Sequence, residues 1–250
     1  MQVIAVYNLK GGVGKTAAAV NLADIAARQG HRTLLWDLDP QGAATFYLNV
    51  DQWNDKRLFE NKKSLRRLIR NTQYPHLDVA PIDLAMRNMD LEIAEKPKFV
   101  ARLRKMLNHV KEDYDLVLLD CAPALSAVSE SVFHAADWVL APLIPTHLSL
   151  RSYGQIERFM LSAGHPVERL LPFFSMVDRR KRLHKESIRQ FALLHPTVIR
   201  TYIPYSSDIE KMGEHRAPMF AFAPNTPGAK AFLALWGAVA SRLGLDAQNA

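Results

Sequence analysis

The apolar residues gather in short, nearly unbroken runs separated by amphipathic stretches. Val3 to Tyr7, Arg32 to Trp36, Leu116 to Asp120, Trp138 to Pro142 and Leu171 to Val177 read as strands, with Leu77 to Ala80 and Val198 to Ile203 as two more. Apolar runs without alternation predict strands covered on both faces, as in a parallel sheet. Helical periodicity fills the gaps. Thr16 to Arg28 carries the stripe Ala19, Leu22, Ala23 and Ala26, and Gly30 stands where such a helix ends. Further helical stretches are predicted around Ser64 to Arg70, over Leu91 to Val110 and over Gly228 to Leu243. The Pro and Gly of Asp37-Leu38-Asp39-Pro40-Gln41-Gly42 assign that segment to a loop. Strands alternating with helices predict an α/β fold with a mainly parallel sheet flanked by helices. No repeat, low-complexity tract or linker interrupts it, so residues 1–250 read as one domain.

Composition narrows the class. A chain of 250 residues, 48% hydrophobic, can bury a sizeable core. Lys and Arg number 32 against 25 Asp and Glu, a net charge of +7 that permits a polyanionic partner. Cys121 is the single cysteine, which excludes an internal disulfide and a multi-cysteine metal site within one chain. It reads as a small buried residue, and a reducing cytoplasm fits. Met1 to Tyr7 has no basic leader and runs straight into a glycine loop, so it predicts a first strand rather than a signal peptide. No apolar run is long enough to span a membrane.

That glycine loop carries the chemistry. Lys10-Gly11-Gly12-Val13-Gly14-Lys15-Thr16-Ala17 lies between a predicted strand and a predicted helix. Glycine lets backbone N–H groups converge on a phosphate, and a helix N-terminus adds positive potential. Lys15 would reach the β- and γ-phosphates, and the Thr16 hydroxyl would ligate Mg²⁺. The strict pattern G-x-x-x-x-G-K-[ST] is not met, because Leu9 stands at its first glycine and Lys10 lies inside the loop. Asp39 and Asp120 follow two predicted strands. In a parallel sheet both would project at the carboxyl edge beside the loop, where phosphoryl transfer needs a water-positioning group and a metal contact.

Lys-Gly-Gly-Val-Gly-Lys-Thr resembles the deviant phosphate loop of the ParA/MinD family of ATPases. Asp37 to Gly42 resembles that family's motif after the second strand, and Asp115 to Pro123 its Walker B strand, with Ala122 where the family often has proline. Asn21-Leu22-Ala23, Pro81 to Ala85, Ala135-Ala136-Asp137 and Ile203-Pro204 look like the ParA branch, so the likeness covers nearly the whole chain. The resemblance implies a Rossmann-like P-loop NTPase that binds ATP and Mg²⁺ and hydrolyses ATP slowly. It implies a homodimer in the ATP state, with Lys10 reaching the nucleotide of the other subunit. It gives Asp39 the attacking water, makes Asp37 structural, and gives Asp120 the metal through water. Adenine contacts in the family come from the late strands, which makes Met176, Asp178 and Pro204 candidates.

The family also implies a surface for the dimer to hold. For nonspecific DNA, the candidate is the basic run Arg179, Arg180, Lys181, Arg182, Lys185 and Arg189. A second basic set is Lys62, Lys63, Arg66, Arg67 and Arg70, four of which, from Lys63 on, share a face if the segment is helical. Tyr205-Ser206-Ser207-Asp208 replaces the arginine-rich late segment of the family. The membrane alternative would use Phe232, Leu235, Trp236, Val239 and Leu243, but with only Lys230 and Arg242 nearby this stripe reads as core. A small-molecule enzyme of the same fold is the third reading. The favoured expectation is a cytoplasmic, nucleoid-associated positioning ATPase, stimulated by a ParB-like or other partner protein.

Overall fold

The apolar runs become the middle of one sheet. The computed structural model describes residues 1–51, 65–81 and 100–245. Its strands are β1 (Gln2–Val6), β2 (Thr33–Leu38), β3 (Arg70–Asn71), β4 (Leu77–Ala80), β5 (Leu116–Cys121), β6 (Trp138–Leu143), β7 (Leu170–Val177) and β8 (Ile199–Pro204). They are hydrogen-bonded in the order β3-β4-β2-β5-β1-β6-β7-β8. Every neighbouring pair is parallel except β3 and β4. The chain first builds outward from β1 through β2, then returns to flank β1 with β5 and β6. The crevice at such a reversal, at the carboxyl ends of the strands, is where open α/β sheets bind ligands.

The helices are α1 (Lys15–Arg28), α2 (Ala43–Tyr47), α3 (Val100–Asn108), α4 (Ala127–Ala135), α5 (His147–Ser162), α6 (Arg182–Leu194), α7 (Ser207–Glu210), α8 (Met212–His215), α9 (Met219–Phe222) and α10 (Pro227–Leu243). They form two layers, and successive strand residues alternate between them. Val3, Ala5, Leu34, Trp36, Val117 and Leu119 pack into the core under α3, α4, α5 and α6. Ile4, Val6, Leu35, Leu116 and Leu118 pack into the core under α1 and α10. Covering both faces is what demanded unbroken apolar strands. Trp36 and Trp236 are completely buried, one in each layer, and the Trp236 indole N–H donates to Gln29 Oε1 at 2.7 Å. Phe232, Leu235, Trp236 and Val239 of α10 are core residues, as their spacing predicted. No described helix is long and apolar enough to cross a membrane.

Two expectations need correction. Asp37 and Leu38 lie inside β2, not in a loop. Asp37 sits in register with Asp120, and its carboxylate accepts from the Thr45 N–H at 2.9 Å and the Thr45 hydroxyl at 2.7 Å, so the strand continues until Asp39. The helix predicted around Ser64 to Arg70 is also absent from the described part of that segment. Leu65–Arg67 is a single 3-10 turn anchored by the buried Leu65 and Leu68, and Arg70 already belongs to β3. The shared basic face therefore does not form. Arg66 pairs with Asp113 at 2.8 Å, and the Arg70 guanidinium donates to the carbonyls of Arg67, Leu68 and Ile69. Lys62, Lys63, residues 82–85 and residues 91–99 lie outside the described residues.

Candidate functional site

The loop between β1 and α1 owes its shape to two glycines. Gly12 has φ +68° and Gly14 φ +90°, a left-handed region that favours glycine. A Cβ on Gly14 would also lie 2.9 Å from Ser175 Oγ of β7. Gly14 is the N-cap of α1, and no side chain caps the helix, so its first N–H groups face the cleft free of an internal partner. The Lys15 side chain folds back, its ammonium 3.3 Å from the Lys10 carbonyl oxygen.

A cavity of roughly 670 Å³ opens over this loop. Gly11, Gly12, Gly14, Lys15, Thr16 and Ala17 form its floor, with Asp39, Pro40 and Gln41 along one side. Met176 and Pro204 line the opposite side with Ser175, Tyr205 and Ser206. This size lies within the range of small-molecule sites. Val13 is completely buried and contributes to the loop through its backbone. Asp39 turns its own loop: its carboxylate accepts from the Gln41 N–H at 3.0 Å and its carbonyl from the Gly42 N–H at 2.8 Å.

Asp120, one residue before the end of the central strand β5, is completely buried, and neither of its carboxylate oxygens has a hydrogen-bonding partner of good geometry among the described residues. Burial, then the Asp37 carboxylate alongside, push its pKa well up, while the nearby Thr16 hydroxyl and Lys15 ammonium oppose the shift. Two orphaned, buried oxygens beside a threonine hydroxyl suit a hard divalent cation, whose charge would compensate the carboxylate directly or through water. Mg²⁺ characteristically takes few protein oxygens and completes its shell with phosphate and water. Lys15 is 6% exposed, and burial lowers its pKa against the pull of Asp120 and Asp39. Asp37 is raised to about 6 by burial, against its hydrogen bonds from Thr45. Cys121 is buried and its thiol is pushed up by burial, which keeps it a neutral core group.

These signs give a pH test. Asp37 binds its proton more tightly in the folded state, so its contribution to stability is full below about pH 4 and is lost as pH rises through about 6. Asp37→Asn has no such proton to lose. Relative to wild type, the nucleotide-free variant should gain on the order of 1–3 kcal/mol between pH 4 and 7, read by denaturant melts. Parallel pH curves would reject the assignment.

The matches to known proteins concern the same loop and strands. Residues 1–164 match the family model AAA_31, an AAA domain. The chain belongs to the ParA/MinD family. Its relatives in this family include the sporulation initiation inhibitor protein Soj of Bacillus subtilis, 28% identical over 251 residues, with 96% of this chain and 98% of Soj covered. Among solved structures, a putative plasmid partition protein of Borrelia burgdorferi bound to AMPPNP superposes with a TM-score of 0.82 at 19% identity, covering 96% of this chain and 99% of that one. A cobyrinic acid a,c-diamide synthase of Mycobacterium smegmatis, bound to ADP and magnesium, superposes with a TM-score of 0.80 at 23% identity, covering 98% and 96%. Structures this distant in sequence share the fold with the ParA/MinD chain, and their functions differ from one another.

Within this family member, the candidate residues separate into groups. Lys15, Thr16, Asp39, Met176 and Pro204 meet at the cleft, with Asp120 buried behind it. Lys10 does not line the cleft. It lies in a second cavity with Leu148, Arg151 and Gln155. Asp178 does not line the cleft either. It accepts from the Arg180 N–H and guanidinium at 3.0 Å each, which holds its carboxyl down at about 2. Tyr47, Tyr205, Ser206 and Phe232 line the cleft and were not singled out for it by sequence. Phe232 was visible only as part of a core stripe, and Tyr47 carried no signal.

The basic run at residues 179–189 is not uniform. The Arg179 guanidinium lies over the Tyr202 ring at 5.3 Å and donates to its hydroxyl. Arg180 is tied to Asp178. His184 is buried and accepts from the Asp178 N–H at 3.1 Å. Arg189 stands 3.9 Å from Glu186. Lys181, Arg182 and Lys185 are exposed and pair with no described carboxylate. Arg182, Lys185 and Arg189 follow helical spacing on α6 and share one face.

Proposed function

We propose that this chain is an ATP-driven switch of ParA type that dimerises around ATP, holds nonspecific DNA while closed, and so positions a cargo. The observation that carries the reading is the divergence of two lysines in one loop. Lys15 lines the cleft floor, whereas Lys10 lines a different cavity and not the cleft. A cation beside a phosphate loop but outside its own cleft is of use to a nucleotide held by another copy. Full-length similarity to Soj supports this reading over a small-molecule enzyme of the same fold.

In this reading the glycine-loop N–H groups and Lys15 hold the triphosphate. Thr16 and Asp120 would hold Mg²⁺, which would supply positive charge to offset that building on the phosphates. Asp39 orients a water that attacks the γ-phosphorus as the bond to the bridging oxygen breaks, giving ADP and phosphate. Lys10 of each copy steadies the transferring group in the other site. Slow intrinsic turnover, stimulation by a partner protein and residence on the nucleoid complete the proposal.

Lys181, Arg182, Lys185 and Arg189 would contact DNA phosphates without reading bases. Binding to random-sequence duplex should need ATP and Mg²⁺ and should fall steeply with salt. The triple variant Lys181→Ala, Arg182→Ala, Lys185→Ala should keep ATP affinity while the log–log salt slope shrinks by about 2–3 per chain. An unchanged slope rejects this patch. Absence of ATP-dependent DNA binding at low salt, with capture by anionic liposomes instead, rejects the DNA reading.

A further inference from the structure

The cavity that takes Lys10 is roughly 300 Å³ and is lined by Leu9, Lys10, Leu148, Arg151, Ser152 and Gln155. It holds two cations, and neither the Lys10 nor the Arg151 side chain meets a carboxylate or hydrogen-bond acceptor among the described residues. Two like charges sharing a recess without a counter-charge repel each other, and a polyanion relieves that repulsion. Gln155 adds an amide that can donate to the same anion.

This pairing is built by a buried polar network. Asn8, completely buried, donates to the Pro142 carbonyl at 2.7 Å, and its Oδ1 accepts from the Lys10 N–H at 2.9 Å. The Ser152 hydroxyl stands 3.4 Å from the same Oδ1. Ser149, also buried, accepts from the Ile144 N–H at 3.1 Å, and its own N–H donates to the Thr146 hydroxyl at the start of α5. Asn8 thus ties the entry to the phosphate loop to the helix that carries Arg151. The backbone positions of the two cations are set together, while their tips stay free.

We propose that Arg151 is a second cation delivered, with Lys10, to the polyphosphate of the nucleotide held by another copy of this chain. The inference rests on the dimer reading above. The ligand chemistry is a clustered phosphate anion, and a DNA backbone is the other source with that chemistry. The guanidinium suits it because its fork makes two hydrogen bonds to phosphate oxygens, which an ammonium cannot match.

Turnover without DNA separates the sources. Arg151→Ala should lower DNA-free ATP turnover by about 10²-fold, the usual cost of losing one transition-state charge contact. Its melting temperature and the ATP affinity of dilute monomer should match wild type. Mixing tests the crossing directly. Asp39→Ala lacks the water-positioning group but keeps Arg151, so a dimer of one Asp39→Ala chain and one Arg151→Ala chain has one complete site. An equal mixture should recover toward about a quarter of the wild-type rate, since half of randomly formed dimers are mixed and each carries one working site. If Arg151 acted within its own subunit, both sites of the mixed dimer would be defective and no recovery would occur. A silent mixture therefore overturns the proposal, as does wild-type DNA-free turnover accompanied by lost DNA binding. Wild-type chains that form no dimer with ATP would sink the underlying reading as well. A dimer that forms normally with a silent mixture removes Arg151 alone. Arg151→Gln repeats the measurement should alanine disturb α5.

Discussion

Lys15→Ala should reduce ATP affinity by on the order of 10²–10³-fold and bring turnover to background. The argument starts from burial. The Lys15 ammonium is nearly excluded from solvent, and among the described residues only the Lys10 carbonyl, at 3.3 Å, partners it. Burial pulls its pKa down, and the Asp120 and Asp39 carboxylates hold it up. That balance keeps a strongly directed positive charge under the phosphate position, where low polarity magnifies it. Alanine removes that charge from beside Asp120 and Asp37, whose carboxylates then meet the incoming phosphates without the Lys15 ammonium. The anionic ligand is then repelled as well as unheld. Titration calorimetry with Mg²⁺ and ATP measures the first loss, phosphate release the second. Saturating ATP should raise the wild-type melting temperature and leave that of Lys15→Ala unmoved. Wild-type affinity in the variant would mean that the cleft is not the nucleotide site.

Gly14→Ala is the second large effect, and it combines strain with function. At φ +90° a Cβ costs about 1–2 kcal/mol by itself. The same Cβ would lie 2.9 Å from Ser175 Oγ, closer than such contacts tolerate, so the Ser175 hydroxyl has to rotate away or the loop or the end of β7 has to yield. Both carry cleft residues: Gly14 opens α1, and Met176, next to Ser175, lines the far wall. Stability should fall by about 2–3 kcal/mol, which lowers the melting temperature by several degrees in a chain of this size. ATP affinity should fall by about 10²-fold, because N–H groups shifted by a few tenths of an ångström no longer converge on one phosphate. Adding Ser175→Gly should recover the steric part and leave the dihedral part. A double variant no better than Gly14→Ala would place the whole cost in the backbone angle.

Much of this arrangement was legible in the amino-acid pattern, for physical reasons. Strands covered on both faces must be apolar throughout, so β1, β5 and β7 announced themselves, and the glycine loop followed from what phosphate binding asks of a backbone. Asp37 was misread because Pro40 and Gly42 mark a turn without saying where the strand before it stops. That point is set by hydrogen bonds from Thr45 and by register with Asp120, both contributed by other segments. Arg66 and Arg70 were misread because helical spacing says nothing of a carboxylate such as Asp113 arriving from elsewhere. The far wall of the cleft was only partly visible. Met176 and Pro204 were found through the family likeness, whereas Phe232 and Tyr47 reach the cavity through packing between distant parts of the chain. Membership of the basic run at 179–189 was visible in the sequence, but its availability was not, because Asp178, Tyr202 and the buried face of α6 take some of its members away.

The two-sided sheet also equips the protein with two built-in optical reporters. Trp36 lies in the layer under α3 to α6, and Trp236 lies across the sheet in the layer under α1 and α10. Each is dry, and neither lines the nucleotide cleft. Their emission therefore follows the integrity of one layer each rather than the presence of ligand. The sequence holds two other tryptophans, Trp53 and Trp138. Chains with both replaced by Phe that keep one of the two buried indoles at a time would show whether both halves of the core melt at the same denaturant concentration, as a single cooperative unit requires.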